Sequence, residues 1–219
     1  MTVALGYYLR LLLVRQSALA PVLTFVAITA LVYAAPAGPP LQAGTVTAVA
    51  LFPVAAWLTR TVSTAESAPY AAVTLVTLGS STRRLMARAA TALVAVTALA
   101  VSAVCWGAVA NGSASYPATT VLALVALHLS QGVAGVGVGT LVSPPVAVRP
   151  GLAVALVTAL MVLSLSVPWF PPVQPLMRAT AGDGHPGAGV LLMVVAQAVA
   201  VGALGLLACA LRERRRPTG

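Results

Sequence analysis

Long apolar runs, broken by short polar or proline-rich stretches, make up most of the chain. Six of these runs approach the ~20 residues that cross a ~30 Å hydrocarbon core, at about 18–35, 45–64, 89–110, 118–142, 151–168 and 189–211. The breaks between them are strong punctuation: APAGPP at 35–40, NGSASYP at 111–117, SPPVAVRP at 143–150 and PWFPPVQP at 168–175. Residues 2–17 precede the first run and carry Tyr7, Tyr8, Arg10 and Arg15 among leucines. Ring-and-hydroxyl or stem-and-guanidinium side chains anchor at a membrane interface, so this segment is predicted to be an interfacial helix. A cleaved signal peptide fits less well, because its apolar stretch Leu11–Val14 is short and closed by Arg15. The pattern predicts an all-α integral membrane protein with six transmembrane helices and one domain over residues 1–219.

One stretch breaks the apolar rhythm. From Trp57 to Arg88 the chain reads WLTRTVSTAESAPYAAVTLVTLGSSTRRLMAR, with Arg60, Arg83, Arg84, Arg88 and Glu66. Helical pattern resumes after Ser67-Ala68-Pro69, but the run Tyr70–Leu78 is too short to span. Gly79-Ser80-Ser81-Thr82 ends it and offers hydroxyls to cap the next helix. The expectation is a polar loop over 60–88 carrying a short surface helix, flanked by charge, that serves as a docking ridge. The plainer reading is a basic loop that only holds topology.

Charge sets the orientation. With the N-terminus in the cytoplasm, the inner side receives Arg10, Arg15, Arg60, Arg83, Arg84, Arg88, Arg149, Arg212, Arg214, Arg215 and Arg216, and the outer side only Arg178. Eleven arginines against one is the asymmetry of the positive-inside rule, and it predicts both termini cytoplasmic. Tyr33, Trp106, Tyr116, Trp169 and Phe170 then fall near the outer interface, with Tyr7, Tyr8 and Trp57 near the inner one.

Composition narrows the chemistry. Hydrophobic residues form 60% of the 219 positions and charged residues 7%, against roughly 25% charged in a soluble domain. The net charge of +9 lies between apolar spans, so it suits lipid headgroups and topology, and no nucleic-acid partner is expected. Lysine is absent, which removes any phosphate-binding-loop lysine. Gly132, Gly135, Gly137 and Gly139 lack the dinucleotide spacing and lie in an apolar run, where small residues serve close helix packing. Cys105 and Cys209 have no clustered His or Cys neighbours, so neither a metal site nor a cofactor is expected. The two histidines lie in separate segments, so no catalytic residues are assigned.

Proton-driven transport usually needs a carboxylate within the membrane, yet Glu66, Asp183 and Glu213 all fall in loops or the tail. His128 is the titratable group placed within a span, with Gln131 a turn further on and Gln197 in the last run. These three are candidate pore-lining polar residues. The alternative role is interhelical hydrogen bonding, at about 1 kcal/mol per contact.

The layout resembles the permease subunit of an ABC-2 type exporter: an interfacial N-terminal helix, six spans, and an internal loop after the second. The family's loop has an acidic residue, a short helix, then a Leu-Pro/Gly-x-Ser/Thr-Arg-Arg element. Here the corresponding residues are Glu66 and Leu78-Gly79-Ser80-Ser81-Thr82-Arg83-Arg84. The resemblance implies that Glu66, Leu78, Gly79, Arg83 and Arg84 belong to a coupling loop that meets a separate ABC-type ATPase subunit. It further implies a second permease subunit, homologous or identical, and residence in a bacterial inner membrane. The segment Trp169–Pro186 resembles an abbreviated form of the family's external element between the last two spans. Haem-exporter B subunits share this length and layout, although no residue here marks a haem handler. Two further function classes stay open: a non-catalytic membrane scaffold or regulatory subunit, and a proton-coupled small transporter.

Overall fold

The computed structural model describes residues 2–34, 39–112, 116–144, 149–167, 173–180 and 187–214. All secondary structure among them is helical. In chain order the α-helices are α1 (Thr2–Val14), α2 (Leu19–Val32), α3 (Pro40–Ser63), α4 (Ala68–Leu78), α5 (Ser81–Asn111), α6 (Ala118–Leu141), α7 (Pro150–Ser166), α8 (Val173–Thr180) and α9 (Ala188–Arg214), with a single 3-10 turn at Gln16–Ala18 between α1 and α2.

Four helices, α3, α5, α6 and α9, are long and apolar enough to cross a membrane. A fifth span results if α1 and α2 count as one element, but they meet at 84°. Six runs were expected to span, and α2 and α7 fall short. At 14 and 17 residues they measure about 21 and 26 Å, against a core of about 30 Å. In contrast α5, at 31 residues, reaches about 46 Å and starts eight residues before the expected boundary at 89. Its first turns, with Arg83, Arg84 and Arg88, therefore prolong a spanning helix instead of forming loop.

The core is built on α3 and α6. Two-thirds of the apolar window of each is buried, against 39% for α5 and 22% for α9. Glycine explains how α6 lies so close to its neighbours. A Cβ on Gly139 would sit 2.6 Å from the Ala56 carbonyl oxygen of α3, and one on Gly137 2.5 Å from Gly202 Cα of α9. The backbones touch there because no side chain intervenes, the packing that membrane helices use in place of a hydrophobic drive. The glycines of α6 thus serve packing, as their apolar setting suggested.

Arginines mark one end of the bundle and tyrosines the other. At one end Arg15 donates to the Ala65 carbonyl, Arg60 to Val142, and Arg84 to Ala71. Arg149 stands at the N-cap position of α7, without a side-chain capping bond, near this end. At the other, the hydroxyls of Tyr33 and Tyr116 crowd over Gly107, and Asn111 Nδ2 donates to the Tyr116 hydroxyl at 3.4 Å. Trp57 and Trp106 are about half exposed, as belt residues are. Tyr8 and Tyr116 differ from that expectation: they are 1% and 7% exposed, because their hydroxyls find partners inside. Trp169, Phe170, Asp183, Arg215 and Arg216 lie outside the described residues.

Candidate functional site

Glu66 organises the charged end. It follows α3 and precedes α4, and its side chain is wholly buried. Oε2 accepts from Arg88 Nη2 of α5 at 2.6 Å and from the Tyr8 hydroxyl of α1 at 3.0 Å. Oε1 accepts from the Thr74 hydroxyl of α4 at 2.7 Å. One carboxylate therefore ties the distant N-terminal helix α1 to the neighbouring pair α4 and α5. The Arg88 guanidinium also lies 5.6 Å from the Tyr8 ring centroid, within cation–π range. Burial pushes the Tyr8 phenol up to about 12, with Arg88 pulling down and Glu66 pushing up, so it stays protonated and donates.

Local sequence explains how each group arrives. On α1 the buried positions are Ala4, Tyr8 and Leu12, a four-residue stripe that lies along one helical face. On α4, Ala71, Thr74 and Leu78 face inward, and Tyr70, Val73 and Val76 are 66%, 64% and 83% exposed. Gly79 ends α4 at φ 71°, the left-handed cap conformation that glycine adopts without a Cβ penalty. Ser80 then caps α5, its Oγ accepting from the Arg83 amide at 3.1 Å. Arg83 Nη1 donates back to the Leu78 carbonyl at 3.3 Å and Arg84 Nη1 to Ala71 at 3.1 Å. Two arginines thus fasten α4 to the start of α5 through its own backbone carbonyls.

Glu66, Leu78, Gly79, Arg83 and Arg84 consequently lie in one short clasp. Its details differ from the sequence reading. Glu66 does not reach outward; its charge is consumed by Arg88. Arg88, Tyr8, Thr74 and Arg15 belong to the same clasp, although none stood out as a site residue in the sequence. The available signal was scarcity: a lone carboxylate among apolar spans needs a buried cationic partner.

His128, Gln131 and Gln197 occupy a separate region. His128 is 1% exposed and Gln131 0%, both on α6, whereas Gln197 on α9 is half-buried. The Leu124 carbonyl lies 2.8 Å from His128 Nδ1 and can only accept, which places the ring proton on Nδ1. Nε2 lies 3.0 Å from Thr47 Oγ1 on α3, a hydroxyl that also reaches the Gly44 carbonyl at 3.0 Å. Both ring nitrogens are used, and the pair bridges α3 to α6. No group of three or more His, Cys, Asp or Glu among the described residues is placed to hold a metal ion. No family model, curated protein or solved structure matches the chain.

Proposed function

We propose that the protein is the permease half of an ATP-driven ABC-2 type exporter in a bacterial inner membrane. In this reading it pairs with a second permease subunit, and α4 is the element through which a cytoplasmic ATPase drives it. The observation that supports this is α4 itself. It is an 11-residue helix, too short to span, whose outward face presents Tyr70, Val73 and Val76 at the arginine-rich end. An exposed apolar face there meets water unless a partner covers it. The inward face is fastened by Thr74–Glu66 and Arg84–Ala71, and through Glu66 to α1 and α5. A push on α4 is thereby passed to a spanning helix and to the N-terminal helix together.

The same reading places both termini in the cytoplasm and counts α2 and α7 as the remaining two spans. Their deficits of about 9 and 4 Å are of the kind a bilayer accommodates by local thinning. The 84° turn between α1 and α2 suits an α1 lying in the inner interface.

The test is purification from native membranes with a tag on this chain. An ATP-binding subunit should co-purify with the wild type and be lost from the double variant Tyr70→Asp, Val73→Asp. Both positions are exposed, so insertion should be unaffected. If no ATP-binding subunit accompanies the wild type in any mild detergent, the reading fails and the scaffold alternative takes its place.

A further inference from the structure

A recess of about 400 Å³ opens between α3 and α7. Pro53, Trp57 and Arg60 line it from α3, and Pro150, Val154 and Val157 from α7. Pro53 to Arg60 is seven residues, so the recess runs about 10 Å along α3. One end holds Arg60, which reaches Val142 at the end of α6, and Pro150, which opens α7, belongs to the same lining. That end is the charged end of the bundle: Arg60 donates to the Val142 carbonyl. Below it the walls are almost wholly apolar. On α7 only Ala153 and Ser164 are buried, so little of this helix rests on the rest of the fold. Trp57, 46% exposed, stands at the mouth.

The occupant follows from size and charge. The volume lies in the range of small-ligand sites, about 300–1,000 Å³, and away from Arg60 the lining is largely apolar, as a hydrocarbon chain requires. Guanidinium groups bind phosphate oxygens through paired N–H donors, and Trp favours the headgroup level. We propose that this recess binds a single acidic phospholipid, its phosphate against Arg60 and one acyl chain between α3 and α7. The lipid would complete the packing of α7 against α3 and act as a wedge at the charged end. This site is independent of the ATPase reading above.

Trp57 gives a direct readout. In a Trp106→Phe, Trp169→Phe background it is the sole tryptophan, and phosphatidylglycerol brominated on one acyl chain can be titrated against the delipidated, detergent-solubilised protein. Quenching should occur at about tenfold lower concentration than with brominated phosphatidylcholine. Arg60→Gln should abolish that preference and Arg60→Lys retain most of it. Val154→Phe, which fills the recess from an exposed position, should weaken quenching by both lipids. Millimolar inorganic phosphate should not displace the lipid, since it lacks the chain. Equal quenching by the two lipids in the wild type overturns the proposal, as does a preference that survives Arg60→Gln. If Arg60→Gln fails to insert, Val154→Phe decides: unchanged quenching would show the chain lying elsewhere.

Discussion

Arg88 Nη2 donates to Glu66 Oε2 at 2.6 Å, with the arginine side chain 9% exposed and the glutamate not at all. Removing one partner of a buried pair leaves an uncompensated charge and costs about 3–5 kcal/mol. Glu66→Ala and Arg88→Ala should each lower the unfolding temperature in detergent sharply. Glu66→Gln together with Arg88→Met should cost less than the two single changes combined. Additive losses would show that the pair is not coupled in the folded protein.

Closer to the proposed coupling element, Gly79 holds the left-handed cap of α4 at φ 71°. A Cβ there meets no backbone, with only the Arg83 side chain 3.8 Å away, so the penalty is conformational. Gly79→Ala should cost about 1 kcal/mol, and Gly79→Asn less. Faster proteolysis within 68–80 should report the loss, with global stability little changed. Equal digestion of all three proteins would remove the cap argument.

Packing of α6 on α3 predicts a steep contrast between two glycines. Gly139→Ala brings a Cβ to 2.6 Å from the Ala56 carbonyl oxygen and 2.6 Å from Thr59 Cβ, whereas Gly189→Ala meets nothing within 4 Å. The first should lose about 1–3 kcal/mol, as overpacked cores do. The second should match the wild type in thermal unfolding, and a tolerated Gly139→Ala would mean the two helices separate readily.

His128 should behave as a bridge. Replacing it with Leu removes the contact between Thr47 of α3 and α6, leaving the Thr47 hydroxyl on the Gly44 carbonyl, and should cost about 1 kcal/mol, the usual value for such contacts between membrane helices. His128→Gln should recover part of that. Once a cargo is known, neither change should alter which cargo is carried; a shift in cargo preference would instead make His128 part of the route.

Orientation can be read by cysteine labelling. In a Cys105→Ser background, a cysteine at Gly79 should react with membrane-impermeant maleimide only after the cells are opened. One at Gly112 should react in intact cells. Labelling of Gly79 from outside would invert the arrangement.

Much of this was legible in the sequence because lipid is a simple solvent. Every backbone polar group in it must be satisfied within its own segment, so long apolar runs became helices and the proline- and glycine-rich breaks became their ends. The α4 boundaries were equally plain, since Pro69 permits a start, Gly79 imposes a stop and Ser80 supplies a cap. Span lengths were less so. Hydropathy treats 18–35 and 151–168 like the other runs, but α2 and α7 stop at 14 and 17 residues. The partner of Glu66 was decided only in three dimensions. Four arginines lie within 22 residues of it, and nothing local distinguishes Arg88 from Arg84. Helical phase excludes Arg83, which stays exposed; Arg84 shares the face of Arg88 one turn earlier, and there its guanidinium reaches the Ala71 carbonyl instead of Glu66. Tyr8 joins Glu66 and Arg88 because α1 folds back across α5, a contact between segments some eighty residues apart. No pattern within either segment encodes that meeting; it depends on which faces remain to be covered once α3 and α6 have packed.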